Sequence, residues 1–379
     1  MWSLHCSVCA YTQPDGTTLA SLCPDCGQPL LVQIAAAPSR DTITGEASLW
    51  RYRAALPIRA GEMAVTLGEG MTPLTELPHL AAEVGVRRLW VKDEGINPTA
   101  SFKARGLMMA VTRAKMLGLP GVCVPTAGNA GIALAAYAAA AGMPCRVYAP
   151  ETTPPPILGS IRAFGADLQL LPGHIGDAGK ATLAFARESG FFNVATVREP
   201  YRVEGMKTMG YEVAEQLGWR LPDAIIYPTG GGEGTIGIWK AINEMLAWGW
   251  LPANTKRPRI IIAQAAGCAP LVRAFREGAE KATPWEDPVT YASGLRVPGP
   301  LGDRLTLRTL RESGGDAESV TEERITHGTF ALASRSGIDA APEGGAALEA
   351  VRQLVAAGRL AADAEVVVFN TGSGASYRW

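Results

Sequence analysis

The chain has 379 residues, 47% of them hydrophobic, which exceeds a single small module and allows two domains, or one large domain with an appendage, around a substantial core. Lys plus Arg number 35 against 36 Asp plus Glu, and a net charge of -1 supplies no field to draw the protein to nucleic acid or anionic lipid. With no apolar run of membrane-spanning length, and a start (MWSLHCSVCA) that lacks a charged region followed by an apolar stretch, the expected protein is soluble and cytoplasmic, its partner small.

In chain order, Cys6 and Cys9 form one C-x-x-C pair and Cys23 and Cys26 a second, with Asp15-Gly16 and Cys26-Gly27 as turn residues around them. This is the spacing of a zinc ribbon, in which four thiolates close a tetrahedral shell and leave no position for substrate, so residues 1–30 read as a zinc-ribbon-like segment with structural Zn. A disulfide pair, or a ribbon that has lost its metal, fits the same four cysteines. Residues 30–65 or so are poorly patterned and read as a linker that packs, with Trp50 and Tyr52 as anchors.

From about residue 88, short apolar runs alternate with helical patterns: RRLWVKDE, GVCVPTAGN before an alanine-rich helix, CRVYAP, DLQLLP, DAIIYPTGGG before GTIGIWKAINEML, RIIIAQAAG and EVVVFNTGSG. Strands separated by helices require crossover connections, so the class is α/β with a mostly parallel sheet. The run Pro154-Pro155-Pro156 suits the first turn of a helix. Cys123, Cys145 and Cys268 lie in apolar or strand-like surroundings and read as small core residues.

Several strands end in a turn rich in Gly, Thr or Asn and then a helix, the arrangement that collects ligands at the carboxyl edge of a parallel sheet. PTGGGEGTIG at 228–237 lets backbone N–H groups converge on an anion at a helix N-terminus, although glycine turns also serve purely steric ends. TAGNAG at 126–131 repeats the architecture, with free N–H groups for a carboxylate and the Asn129 amide for a phenolate-like oxygen. NTGSG at 370–374 puts the Thr371 hydroxyl at a sheet edge. NPTASFKARG at 97–106 supplies one lysine, Lys103, which taken alone is either a surface charge or a catalytic group. Phosphate cup, amide, hydroxyl and lysine together match pyridoxal 5'-phosphate, which has a phosphate, a phenolic oxygen, a ring nitrogen and an aldehyde that lysine can capture.

These motifs, with LGEGMTPL at 67–74 and EPYRVEGMKTMGYEV at 199–213, occur in the order found in threonine synthases. The chain resembles that family of tryptophan-synthase-β-like pyridoxal-phosphate enzymes (PLP fold type II), including forms with an N-terminal zinc ribbon. The resemblance implies a large cofactor domain (31–114 and 201–379), a small mobile domain (115–200) and a homodimer. It also implies that Lys103 is the Schiff-base lysine and general base, that Asn129 lies beside the cofactor's phenolic oxygen, and that Gly230, Gly231, Gly232 and Gly234 form the phosphate cup. Thr371 then faces the ring nitrogen, Arg202 is associated with the substrate phosphate, and Thr126, Ala127 and Gly128 belong to the substrate loop. Glu343 in APEGG is read as support for the cofactor region.

The chain departs from the family pattern at Ala100, usually Gly, and Ala104, usually Asp, and in the loop around Ala127 and Ala130, which lacks the usual hydroxyls. The ending GASYRW also lacks the usual Leu-Lys. These departures weigh against O-phospho-L-homoserine as substrate without weighing against the cofactor. The alternative is a serine or threonine dehydratase, or a β-replacing enzyme; a non-catalytic zinc-ribbon interaction protein is disfavoured by the intact lysine. Glu233 sits inside the cup, and because a carboxylate beside a phosphate is unfavourable, its side chain is expected to face solvent or the mobile domain.

Overall fold

A computed structural model describes residues 1–14, 19 and 21–377. Asp15 and Gly16, expected as turn residues of the ribbon, lie outside the described residues. The described residues divide into two compact units, one within 1–71 and 97–208, the other within 72–96 and 209–377.

The first unit carries two sheets. Trp2–Cys6 is the centre of a three-stranded antiparallel sheet, flanked by Thr12–Pro14 and Leu30–Ile34. This three-stranded sheet runs past residue 30 into the segment read as a linker. Trp50 and Tyr52 are buried, as anchors should be. The second sheet is parallel and four-stranded, in the order Asp167–Leu171, Cys145–Pro150, Val122–Pro125, Phe192–Asn193. Helix Asn129–Ala141 is alanine-rich and buried almost all round, and its small side chains let it lie close to both this sheet and helix Lys103–Met116. The tri-proline run opens helix Pro155–Ala163, where a missing N–H costs nothing. One core joins the ribbon to these helices, and the buried Arg113 fastens it: its guanidinium lies 4.8 Å from the Trp2 ring centroid and 5.5 Å from that of Tyr201.

The second unit is built on six strands in the order Asp316–Val320, Arg259–Ala265, Ala224–Pro228, Glu365–Asn370, Arg88–Asp93, Leu74–Glu76. All neighbours are parallel except the last pair. Its two central strands, AIIYP and EVVVFN, are buried along their whole length, the continuous apolar pattern of a sheet covered on both faces. Both lead into the glycine- and threonine-bearing turns noted above, so the topology puts 228–234 and 370–374 at the same carboxyl edge. Among the described residues no helix is long and apolar enough to cross a membrane.

Candidate active site

Lys103 is the first residue of helix Lys103–Met116, half-buried, with its Nζ 4.3 Å from the Phe102 ring centroid. The loop before it is strained. Thr99 and Ala100 have φ of 65° and 55°, a left-handed conformation that is an outlier for a β-branched residue. The Thr99 and Ser101 hydroxyl oxygens in this loop are buried with no hydrogen-bond partner among the described residues. Ala100 stands where the family pattern has Gly, so its Cβ carries a cost that glycine avoids. Ala100→Gly is expected to raise stability by about 1 kcal/mol, read as a shift in the denaturant midpoint. A midpoint that falls would show that this conformation is not the one adopted.

Glycines explain how the lysine helix meets the start of helix Tyr201–Gln216. A Cβ on Gly205 would lie 2.0 Å from the Arg105 carbonyl oxygen, and one on Gly106 would lie 3.1 Å from that of Arg202. The two backbones touch there, which places the first turns carrying Lys103 and Arg202 on crossing helices. Arg202 is fully buried and donates from Nη1 to the Val194 carbonyl at 2.8 Å. Glu199 holds this turn by accepting from the Tyr201 and Arg202 amides at 2.6 and 3.0 Å.

Thr126, Ala127 and Gly128 form the turn before helix Asn129–Ala141. The Thr126 hydroxyl donates to the Gly128 carbonyl at 2.9 Å and accepts from the amides of Gly128 and Gly131, so it fixes the turn. Asn129 follows at the first helical position, and its buried Oδ1 has no hydrogen-bond partner among the described residues. A buried amide oxygen without a partner is costly unless a ligand completes it.

In the second unit, Gly230, Gly231, Gly232 and Gly234 run from strand Ala224–Pro228 into helix Glu233–Ala247, whose first N–H groups have no partner within the helix. Gly232 has φ of 90°. A Cβ would lie 2.2 Å from the Gly294 carbonyl oxygen at Gly230, 2.3 Å from Thr306 Oγ1 at Gly232 and 2.2 Å from the Tyr227 hydroxyl at Gly234. A side chain at any of these three positions would clash, so the turn there is bare backbone. Glu233 is 2% exposed, so of the two directions expected for its side chain, solvent is excluded. That expectation weighed only the phosphate, whereas a carboxylate in the first turn also meets the positive end of its own helix. Thr371 is buried directly after strand Glu365–Asn370. Asn370 beside it donates to Asp93 Oδ1 at 2.8 Å and accepts from the Ala341 amide at 3.2 Å.

Residues 65–372 match the family described as pyridoxal-phosphate dependent enzymes. Among curated relatives, the threonine synthase of Methanocaldococcus jannaschii is 35% identical over 87% of this chain and 80% of its own length. That of Methanosarcina acetivorans is 36% identical over 86% of this chain and 79% of its own length. The chain belongs to the pyridoxal-phosphate dependent enzyme family. Among solved structures, maize serine racemase superposes with a TM-score of 0.69 at 20% identity, covering 80% of this chain and 88% of that one, and so shares the fold.

Membership makes pyridoxal 5'-phosphate the cofactor, and the residues present fit it. The glycine-walled cup suits a phosphate, the Asn129 amide offers an uncompleted polar atom, and Lys103 offers an amine. Sequence reasoning missed Glu69 of LGEGMTPL, which is fully buried and accepts from Trp50 Nε1 at 3.0 Å, Thr66 Oγ1 at 3.1 Å, the Leu67 amide at 2.9 Å and the Tyr137 hydroxyl at 2.6 Å. It ties the motif to helix Asn129–Ala141. Its acidic character suggested nothing because its partners are spread from residue 50 to 137.

The four ribbon cysteines come together as the spacing requires, with all four Sγ atoms within 4.8 Å of one another. Cys6 Sγ lies 3.3 Å from Cys26 Sγ and Cys9 Sγ 3.5 Å from Cys23 Sγ, near the ~3.8 Å edge of a tetrahedron with metal–sulfur bonds of ~2.3 Å. Burial works against a Cys6 thiolate, but the Cys9 and Val8 amides offset it and the thiol is lowered to about 7. Cys123 and Cys268 are buried, as expected of core residues, and burial pushes their thiols up to about 12 and about 11.

Proposed function

We propose that this chain is a threonine synthase, a pyridoxal-phosphate-dependent lyase converting O-phospho-L-homoserine and water to L-threonine and inorganic phosphate. The observation that carries the reading is the match to threonine synthases along most of both chains, joined to an intact lysine, amide, cup and hydroxyl set. Pyridoxal phosphate, when bound, draws electron density from the substrate Cα. Lys103 would hold the cofactor through Nζ, and with that amine free it would serve as the general base for the substrate Cα proton. Gly230, Gly231, Gly232 and Gly234 would hold the cofactor phosphate on backbone N–H groups, and the Asn129 amide would donate to the phenolic oxygen. Thr371 would offer the ring nitrogen a hydroxyl rather than a charge.

Thr126, Ala127 and Gly128 offer backbone to the substrate. Arg202 meets the substrate phosphate, a charge-assisted contact that grows in importance where Ala127 and Ala130 replace hydroxyls. Overall, the Cγ–O bond to phosphate breaks, Cβ loses a proton and Cγ gains one, and water supplies the hydroxyl at Cβ while its remaining proton balances the released phosphate. Segment 115–200 as a closing domain, a homodimer and a cytoplasmic setting belong to the same reading, which rests for them on the family resemblance.

Phosphate release together with threonine formation from O-phospho-L-homoserine tests the proposal. Ammonia and a keto acid formed from serine or threonine, with no turnover of phosphohomoserine, would replace it by the dehydratase reading. We further assign structural Zn to Cys6, Cys9, Cys23 and Cys26. One zinc per chain by metal analysis is expected, lost in a Cys9→Ser, Cys26→Ser double variant along with thermal stability. A purified protein whose four thiols all react freely and carry no metal would remove the assignment.

A further inference from the structure

Glu343 is the second residue of helix Pro342–Ala356 and almost fully buried. Its Oε1 accepts from the Gly294 amide at 2.8 Å and from the Tyr377 hydroxyl at 2.6 Å, and that hydroxyl also lies 3.0 Å from Ser293 Oγ. Burial, with the Glu343 carboxylate beside it, pushes the Tyr377 phenol well up, so the hydroxyl stays a donor. Gly294 in turn backs the cup, because its carbonyl oxygen lies 2.2 Å from where a Cβ on Gly230 would stand. The other end of the same helical turn is tied to the Thr371 segment: the Ala341 amide donates to the Gly372 carbonyl at 2.9 Å and to Asn370 Oδ1 at 3.2 Å, and Ala340 bridges Ser373.

One carboxylate therefore links the turn that carries Thr371 to the segment that walls the phosphate cup. We propose that Glu343 and Tyr377 form a latch that positions the cofactor, setting the distance between its ring-nitrogen turn and its phosphate cup through Ser293 and Gly294. They are positioning residues. Tyr377 lies in GASYRW, the segment that lacks the family's usual Leu-Lys. The inference rests on the cofactor assignment above.

The Tyr377 ring also lines a cavity of about 620 Å³ shared with Tyr291, Phe330 and Pro342, so removing its hydroxyl forces no repacking. Protein stripped of cofactor is titrated with pyridoxal 5'-phosphate, read by visible absorbance, and the phosphorus NMR resonance of the bound phosphate is recorded. Tyr377→Phe and Glu343→Ala are each expected to raise the Kd about tenfold and to move the resonance. Glu343→Gln, whose amide oxygen still accepts both bonds, should stay within about threefold of the wild type. An unchanged Kd and resonance in Tyr377→Phe overturns the latch, as does an equal loss in Glu343→Gln. If Glu343→Ala fails to fold, Tyr377→Phe alone decides. A wild-type chain that binds no cofactor overturns the cofactor assignment itself, which separates the two failures.

Discussion

Lys103→Ala is expected to lower phosphate release from O-phospho-L-homoserine by at least about 10³-fold, because a positioned general base alone contributes ~10² to 10⁴ and this lysine also captures the cofactor. The folded state should survive. Alanine is the best helix former, and the substitution sits at the first helical position of Lys103–Met116, so the unfolding midpoint should stay near that of the wild type. Lys103→Arg sharpens the test, since a guanidinium keeps the positive charge but cannot give up its proton near neutral pH. If charge alone mattered, arginine would restore turnover. The expected result is that both variants are inactive and lack the wild-type visible band. Activity within tenfold of wild type in either would make Lys103 a surface charge, and the role assigned to the loop that precedes it would fall.

The residues legible in the sequence are those whose chemistry and local spacing coincide. Lys103, Asn129, the cup glycines and Thr371 each stand at a strand-to-helix turn or a helix start, and the strands before the turns are apolar runs that need no partner to be recognised. Leu30–Ile34 is apolar but stands outside the strand–helix alternation, in the segment read as a linker, while other strands that were not legible are short or polar. Leu74–Glu76 and Phe192–Asn193 have three and two residues. Asp316–Val320 reads DAESV because it is an edge strand whose Glu318 pairs with Arg276 at 3.0 Å.

The same distinction sets the candidate residues that the sequence marks apart from the one it does not. Glu69 acts through partners from residue 50 to residue 137, so no local spacing reports it, and Glu343, marked as a candidate in APEGG, is marked without the Gly294 and Tyr377 partners it holds. Glu233 is weighed there from one interaction, its repulsion from a phosphate, which leaves solvent open as a direction, whereas burial in a helix's first turn is set by several. The division into compact units falls between Thr208 and Met209, inside helix Tyr201–Gln216, where no change of composition marks it.

Glu212→Ala is expected to cost about 3 to 5 kcal/mol of unfolding free energy, the largest stability effect of a single change in the second unit. Lys92 and Glu212 are both 0% exposed and lie 2.7 Å apart. The Lys92 ammonium has three N–H donors, and they reach Glu212 Oε2 at 2.7 Å, the Thr72 carbonyl at 2.7 Å and Gln216 Oε1 at 2.9 Å. Removing the carboxylate leaves a buried charge facing neutral acceptors, whereas removing both charges leaves an apolar gap that can be filled. Lys92→Met with Glu212→Leu should therefore recover most of what either single change loses, and a double-mutant cycle from denaturant midpoints reads the coupling. Additive losses would mean that the pair is not the interaction that matters.

The consequence reaches the site. Lys92 precedes Asp93, which pairs in register with Asn370 and accepts from its side chain, and Asn370 precedes Thr371. If the ion pair only anchors strand Arg88–Asp93, the apolar double variant keeps that register and binds pyridoxal 5'-phosphate as the wild type does. A stable double variant with weakened cofactor binding would instead show that the buried charges orient the strand end beneath Thr371.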